Sequence, residues 1–244
     1  MHHQMKQTKG WITLLGLVWL LSSCVYAGSE GIQKETRKLA PFSEVKVSTG
    51  VQLFLTQGDE NMALVEADGS IIDNVVVESK NGVLEIYYKS TGWNLFGRNL
   101  RHGEIKVLLT FTRLEKLKAS SGSSVHSQHV LNLGDFDLSA SSGANSSLEL
   151  SARRVSMDAS SGANVKVKGT ADSIYAEASS GANVKASDFV ALAGAARASS
   201  GGSVKIYVDG DVDARASSGG SITVFGDAAL RNVEQSSGGS VNTR

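Results

Sequence analysis

Several residue types that usually shape a globular domain are scarce in this 244-residue chain. It has one cysteine and one proline, and its 24 basic and 24 acidic residues cancel to a net charge of zero. A single cysteine excludes an intramolecular disulfide. The absence of a positive surplus argues against a nucleic-acid partner, because binding to phosphates depends on clustered basic side chains. Aromatic residues are also few, at 6% of the chain.

Motifs that would indicate catalysis are equally scarce. The sequence contains no phosphate-binding loop, dinucleotide-binding fingerprint or zinc-ligand spacing. Its many serines recur with the repeat described below, so none stands out as a nucleophile beside a histidine and an aspartate. His126 and His129 lack a further ligand at a suitable spacing. We therefore predict no catalytic residue, no metal and no cofactor.

A short acidic cluster lies near the C-terminal end of the sequence. Asp209, Asp211 and Asp213 fall within five residues, an arrangement that suggests calcium. The rest of an EF-hand loop is missing, and so is the nonapeptide of calcium-binding β-rolls. We favour a solvated corner between strands. The alternative is that these carboxylates serve a polysaccharide lyase or hydrolase.

A helical spacing of apolar residues is absent from the second half of the chain, and a short repeat takes its place. The phrase Ala-Ser-Ser-Gly recurs at intervals of 18 to 21 residues, with Gln replacing Ala in the last copy. The copies begin at Ala119, Ala140, Ala159, Ala178, Ala198, Ala216 and Gln235. A fixed period of this length is typical of stacked structural units.

Within one period, apolar and polar residues alternate twice. Val165 and Val167 alternate with lysines, and Ile174 and Ala176 alternate with Tyr175 and Glu177. Two short strands and two corners per period predict a β-solenoid of about 19 residues per regular turn. The corner glycines suit positive φ angles, and the alanines suit a narrow interior.

Equivalent positions in successive turns should form rows about 4.8 Å apart along the solenoid. Lys166, Lys185 and Lys205 form one outward row, here called the lysine row. A second outward row, here called the charged row, comprises Asp158, Glu177, Arg197, Arg215 and Glu234. Both are explained by a solvated surface. The alternative for the lysine row is a binding site for an anionic glycan or surface.

The first 27 residues resemble a bacterial export signal. Two lysines precede an apolar run, and Leu21-Ser22-Ser23-Cys24 resembles a lipoprotein lipobox. We predict a signal peptide over 1–23 and lipidation of Cys24, which would anchor the protein in a membrane. Cleavage after Ala27 by the ordinary signal peptidase is the alternative.

Three further segments follow. We predict a polar tether over 24–40, a wider and less regular β-rich part over 41–118, and the regular solenoid over 119–244. Pro41 marks the end of the tether. The segment 91–103 has no strand pattern and is predicted to be a loop, whose Trp93 and Phe96 could contact a sugar or a partner.

The signal, the Ser-Thr-Gly-Val segment after the first predicted strand and the tandem Ser-Ser-Gly turns together resemble the putative auto-transporter adhesin, head GIN domain family. Its glycine–hydrophobic–asparagine signature falls on Gly50-Val51-Gln52, with Gln replacing Asn. The resemblance covers most of 40–241. It implies a right-handed parallel β-helix, similar in shape to pectate lyases but without their catalytic residues, in a bacterial envelope protein.

These observations give three functional hypotheses, in order of preference. The first is a non-catalytic envelope lipoprotein, exported to the outer membrane, that binds a glycan or another surface component. The second is a polysaccharide lyase or hydrolase on the same fold. The third is a structural spacer.

Overall fold

The computed structural model describes residues 31–90 and 103–244, which form one continuous sheet system of eighteen strands and a single 3-10 turn at Ile72–Asn74. The N-terminal strands are β1 Ile32–Lys38, β2 Glu44–Val47, β3 Gln52–Gln57, β4 Met62–Asp68, β5 Val75–Lys80, β6 Val83–Tyr88, β7 Lys106–Phe111, β8 Lys116–Ala119 and β9 Ser124–Ser127. The remaining strands are β10 Leu131–Asn132, β11 Asp135–Ala140, β12 Asn145–Ala159, β13 Asn164–Ala178, β14 Asn183–Ala198, β15 Ser203–Ala216, β16 Ser221–Phe225, β17 Ala229–Gln235 and β18 Ser240–Thr243.

The predicted β-solenoid is confirmed, with about seven turns at a spacing of about 19 residues. Each turn pairs in parallel with the next, and the repeat positions fall exactly in register. Ala159 pairs with Ala178, which pairs with Ala198, and Asn145, Asn164 and Asn183 are aligned in the same way. Parallel pairing explains why a phrase that recurs along the sequence becomes a row along the solenoid.

Each Ser-Ser-Gly corner is a tight turn with two left-handed residues. In the corner at Ser160, Ser161 has φ 49° and Gly162 has φ 72°. The amide of Ala163 donates to the carbonyl oxygen of Ser160 over 3.0 Å, which with two positive φ angles is a type I′ turn. The amide of Gly162 also donates to the carbonyl oxygen of Ser180 in the next turn, over 3.1 Å. The corners are therefore joined to one another through the backbone.

The core narrows from the N-terminal part to the regular turns. Its bulky, fully buried side chains in the first part include Leu53, Leu55, Ile86, Leu109 and Phe111. In the regular turns the six repeat alanines, from Ala119 to Ala216, are all at most 2% exposed. The prediction of a wider N-terminal core and an alanine-lined solenoid is confirmed.

The order of the first turns along the solenoid differs from their order in the sequence. β2 lies between β6 and β8, and β3 lies between β7 and β9. After β1, the chain forms an inner turn with β2 and β3 and then continues through β4 to β7 at the N-terminal end of the solenoid. It next crosses to the other side of the inner turn, where β8 pairs with β2 and β9 pairs with β3. β2 and β8 are in register, Val45 with Leu117 and Val47 with Ala119, so the first segment takes the place of one repeat in the stack.

The tether prediction is wrong over Ile32–Lys38, which forms β1 along its full length against β4 in antiparallel register. Lys34 Nζ lies 2.6 Å from Glu66 Oε1, and Arg37 donates to the carbonyl oxygen of Val75 over 2.6 Å. Backbone pairing holds this strand even though its side chains are almost all exposed. Its polar composition, which suggested a tether, is the composition that protects an edge strand from further pairing.

A two-residue hairpin joins antiparallel β5 and β6. Its Asn81-Gly82 sequence is typical of such turns, and both residues have positive φ. The segment 1–23, Cys24, Trp93 and Phe96 lie outside the described residues. Within residues 31–90 and 103–244, no helix has the length and apolar character needed to cross a membrane.

At the C-terminal end, Gln235 stands where the six preceding repeats have alanine. Its side-chain oxygen accepts a hydrogen bond from the amide of Val241 over 3.4 Å, from β17 towards β18. Every residue of β17 is exposed. The last turn therefore ends the solenoid with a polar side chain.

Candidate functional site

The lysine row lies on one flat outward face of the solenoid. Lys166 pairs with Lys185, and Lys185 pairs with Lys205, on strands β13, β14 and β15. All three side chains are exposed, and the residues flanking each of them in its strand are buried. Neighbouring strands are about 4.8 Å apart, so three positive charges follow one another along about 10 Å. The predicted alignment of these residues is confirmed.

Among the residues that the structure describes, none of the register neighbours of this row is acidic. In the same column Ser147 precedes Lys166, and Thr223 follows Lys205. Within residues 31–90 and 103–244 none of the three lysines forms an ion pair, although ten other ion pairs are present. Stacked like charges without partners repel one another, so an anion that bound here would relieve that repulsion.

Lys168 provides a contrast on the same strand. It projects from the same face two residues after Lys166, but its register partners are Glu149 and Asp188. A cation between two carboxylates is locally balanced. The lysine row thus differs from Lys168 because its register partners are not acidic.

A row of amides borders the lysine row on one side. Asn164 donates to the side-chain oxygen of Asn145 over 3.2 Å, and Asn183 donates to that of Asn164 over 3.1 Å. These three residues are here called the asparagine ladder. Together with Lys166 and Lys185 they line a shallow groove of about 350 Å³. We did not predict this ladder, although the 19-residue spacing of the three asparagines was its signal.

The charged row has the predicted register, but only some of its neighbouring opposite charges form ion pairs. Arg215 and Glu234, which are register partners, form one at 3.3 Å. Glu177 and Arg197 are register partners, but Arg197 lies over the ring of Tyr175, 5.6 Å from its centroid, and the Tyr175 hydroxyl donates to Glu177. Tyr175, two residues before Glu177 on the same strand, thus provides the contact that Arg197 makes instead of an ion pair with Glu177.

Two pKa values are shifted in this row. Partial desolvation raises the pKa of the Asp158 carboxyl, and the negative charge of its register partner Glu177 raises it further. The pKa of the Tyr175 hydroxyl is raised by partial burial and by its hydrogen bond to Glu177. Both shifts follow from ordinary packing between neighbouring strands.

The acidic cluster lies within β15, where the register with β14 shifts and Asp209 has no partner in that strand. Each carboxylate is engaged by a different group. Asp209 accepts from the amide of Asp227 over 3.1 Å, Asp211 is 2.8 Å from Arg231 Nε, and Asp213 accepts from the Asn232 amide over 2.7 Å. Asp211 and Asp213 line one cavity of about 470 Å³ together with their partners Arg231 and Asn232, and each of the three carboxylates is already engaged by its own partner.

The two histidines considered as a metal pair have separate surroundings. His126 stacks on Phe54 with ring centroids 5.6 Å apart, and His129 is exposed after β9. Among residues 31–90 and 103–244 there is no cluster of three or more His, Cys, Asp or Glu side chains that could hold a metal ion.

A polar cleft of about 490 Å³ lies on another side of the solenoid and was not predicted. Four of its charged side chains form ion pairs, Arg113 with Glu115 and Arg153 with Asp135 at 2.8 Å, whereas Asp137 forms none among the described residues. Asp135 is also the register partner of Arg154, 19 residues later, so the sequence period relates these charges. Because the lining carries three carboxylates and two guanidinium groups, this cleft offers a weaker attraction to an anionic ligand than the lysine row.

Comparison with protein families identifies the chain. The family model described as putative auto-transporter adhesin, head GIN domain, matches residues 41–228. The chain therefore belongs to this family, and the resemblance seen in its sequence is confirmed. A search of curated proteins finds no match.

Solved structures show the same fold. A putative adhesin from Bacteroides fragilis superposes with a TM-score of 0.79 at 16% identity, covering 88% of this chain and 98% of that one. A putative adhesin from Parabacteroides distasonis gives 0.71 at 16% identity, covering 89% and 98%. A putative lipid binding protein, also from Parabacteroides distasonis, gives 0.66 at 18% identity, covering 89% and 98%.

Proposed function

We propose that the protein is a non-catalytic, adhesin-like component of the bacterial envelope that binds an anionic glycan along its lysine row. The observation that carries the proposal is the stack of Lys166, Lys185 and Lys205 without an acidic partner. A linear polyanion laid parallel to the solenoid axis would meet one cation per turn. Electrostatic complementarity of this kind favours fast and specific association.

The family and the structurally similar proteins support the adhesin-like role in this proposal. The family is described as adhesin-like, and the solved relatives include putative adhesins. The lipobox at Cys24 supports anchorage at the outer membrane. β1 begins at Ile32, so seven residues would link the lipid to the N-terminal end of the solenoid, a reach of about 25 Å.

A polysaccharide lyase or hydrolase is the less favoured function. It would need carboxylates or basic groups that converge on a substrate, and Asp209, Asp211 and Asp213 each have a separate partner. A structural spacer would need no unbalanced charge on its surface. Neither alternative gives the lysine row a role beyond solvation.

The first experiment compares binding of acidic and neutral polysaccharides to the full-length protein in a non-ionic detergent. The test variant replaces all three lysines of the row with alanine, and Lys168→Ala is the matched control on the same face. We expect the triple variant to lose at least about tenfold in affinity for the acidic polymer, since three charge contacts are removed. Binding should weaken with added salt, because exposed charges are screened.

Two results would contradict this function. Equal affinity of the triple variant and Lys168→Ala would show that the row is not the site. Release of unsaturated or reducing sugar ends during the incubation would show that the protein is an enzyme, and would direct attention to the three aspartates of β15.

The anchor is tested separately. Expression in a Gram-negative host followed by mass spectrometry of the mature N-terminus should show acyl chains on Cys24. The Cys24→Ser variant should lose those chains and leave the membrane fraction. A mature wild-type protein that begins at Gly28 would establish cleavage after Ala27 and exclude the lipid anchor.

A further inference from the structure

An apolar ridge lies beside the lysine row on the same face of the solenoid. Val190 on β14 pairs with Tyr207 on β15, and Tyr207 pairs with Phe225 on β16. Val190 is exposed and Tyr207 is half-buried, each between two buried neighbours, and half-buried Phe225 follows buried Val224 at the end of β16. We call Val190, Tyr207 and Phe225 the apolar ridge. It follows the solenoid axis through three successive turns.

The ridge and the lysine row are joined within one strand. Lys205 and Tyr207 are separated only by buried Ile206, so their side chains project from the same face of β15. A ligand that contacts the Tyr207 ring would therefore lie within reach of the Lys205 ammonium group.

The far side of the ridge carries hydrogen-bond acceptors. Asp209 follows Tyr207 by two residues and Asp227 follows Phe225 by two, and both are exposed. The amide of Asp227 donates to Asp209 over 3.1 Å, which ties the two turns together. From one edge to the other, the face thus presents cations, then apolar rings, then carboxylates.

The Tyr207 ring has a fixed support. A Cβ built on Gly226 would lie 2.8 Å from Tyr207 Cε1 and 2.7 Å from the carbonyl oxygen of Val208. One edge of the ring therefore lies close to Gly226, where the Cβ of any larger residue would displace it. A supported ring is better suited to hold a ring-shaped ligand than a mobile one.

This ordered sequence of groups matches the chemistry of an acidic sugar. A pyranose ring has an apolar C–H face, hydroxyl groups around its edge and, in a hexuronate, one carboxylate. The C–H face can pack on an aromatic ring, the hydroxyls can donate to aspartates and the carboxylate can accept from a lysine. A protein partner is less well suited, because three side chains along about 10 Å offer far less area than the roughly 800 Å² per partner of a standard interface.

We propose that the lysine row and the apolar ridge form one site for an acidic polysaccharide, with a sugar ring packed on Tyr207 and Phe225 and its acid group bound by Lys205. This rests on the proposed function and makes it more specific. A site built from lysines alone would not distinguish one polyanion from another, whereas this one gains additional affinity for polymers that contain sugar rings.

The test compares two polyanions, polygalacturonate and inorganic polyphosphate, by titration calorimetry with the full-length protein in non-ionic detergent. We expect Tyr207→Ala combined with Phe225→Ala to weaken binding of polygalacturonate about tenfold, the effect of removing a central aromatic contact. Binding of polyphosphate should be unchanged in that variant. Tyr207→Phe, which keeps the ring, should bind both polymers as the wild type does.

The outcomes separate the two proposals. If the aromatic variant binds polygalacturonate as tightly as wild type, the ridge is not part of the site, and the lysine row can still be the site. If the wild type binds neither polymer, both proposals are wrong. A single Tyr207→Ala variant and a thermal unfolding curve exclude misfolding as the cause of a loss. The ridge could instead be covered by a second copy of the chain, and light scattering, which measures the molar mass in solution, tests this. A wild-type dimer that becomes a monomer in the aromatic variant would show that a second copy covers the ridge and would overturn the proposal.

Discussion

The Asn164 side chain accepts a hydrogen bond from the Asn183 amide over 3.1 Å and donates one to the Asn145 oxygen over 3.2 Å. Identical residues one turn apart can form such a chain because each carboxamide has both a donor and an acceptor. The strand spacing places the next carboxamide within reach. This repeated contact locks three turns together beside the proposed binding face.

Replacing the middle member should therefore cost stability. We expect Asn164→Ala to lower the free energy of unfolding by about 1–2 kcal/mol, since two hydrogen bonds are lost. Chemical denaturation measures the change. Ser203→Ala is the control, because Ser203 occupies the next position of this column and makes no side-chain hydrogen bond among the described residues. An equal effect of both substitutions would show that the ladder contributes nothing.

Removal of one buried hydroxyl group, that of Ser146, should instead raise the stability of the protein. Ser146 is 3% exposed, stands in register between Val125 and Val165, and its Oγ has no hydrogen-bond partner within the described residues. An unsatisfied buried polar group costs about 1–3 kcal/mol. We expect Ser146→Val to stabilise the protein by about 1 kcal/mol and to raise the melting temperature.

The control for this prediction is a second buried serine. Ser123 is fully buried, but its hydroxyl donates to the carbonyl oxygen of Val47 over 3.3 Å. Ser123→Ala should therefore lower the melting temperature. A fall in stability on Ser146→Val would mean that the interior cannot accept the additional methyl group at that position.

Two glycines of one turn should respond differently to alanine. Gly162 has φ 72° and open space around a built Cβ, whereas at Gly169, with φ 120°, that atom would lie 1.9 Å from the carbonyl oxygen of Leu150. Gly162→Ala should cost about 1 kcal/mol through backbone conformation alone. Gly169→Ala should cost about 3 kcal/mol, the upper range for an overpacked position. Denaturation of both variants tests the order, and a larger loss at Gly162 would contradict it.

The pH dependence of stability should contain a contribution from Asp158. Its pKa is raised in the folded protein by desolvation and by Glu177, so ionisation is less favourable in the folded than in the unfolded chain. The penalty is absent below the usual pKa of about 3.9 and develops as the pH rises through the folded pKa. Asp158→Asn should therefore stabilise the protein at pH 7 and have no such effect near pH 3.

Unfolding curves across this pH range, together with a carboxyl NMR titration of Asp158, measure the effect. Glu177→Gln should lower the pKa of Asp158 towards its usual value, because it removes the second cause. Destabilisation by Asp158→Asn at pH 7 would show that the ionised carboxylate is favourable in the folded state.

The sequence predicted the regular part of the molecule well because each turn is specified by the same local pattern. Apolar alternation marks the two strands, and Ser-Ser-Gly marks the corner, where Ser161 and Gly162 adopt the positive φ angles of a type I′ turn. Parallel stacking then follows, since it aligns every period with the next. The lysine row could be predicted from the same arithmetic.

The apolar ridge could not be predicted from the sequence period, because the register shifts within β14. Counting places Ser187 beside Tyr207, because Lys185 pairs with Lys205. The register shift between Ala186 and Val190 places Val190 there instead, and this creates the apolar ridge. A bulge of this kind depends on how two strands fit together, so it is not visible in either strand alone.

The local sequence pattern thus specifies the strand–corner unit, its stacking into a solenoid and the alignment of Lys166, Lys185 and Lys205. It does not specify that β2 lies between β6 and β8, that β1 pairs with β4, or that Arg197 contacts Tyr175. These two groups of features differ in the range of the interactions that set them. Turn conformation and alternation are set within a few residues, whereas edge pairing, bulges and side-chain partners are set by competition among segments that meet only in the folded chain.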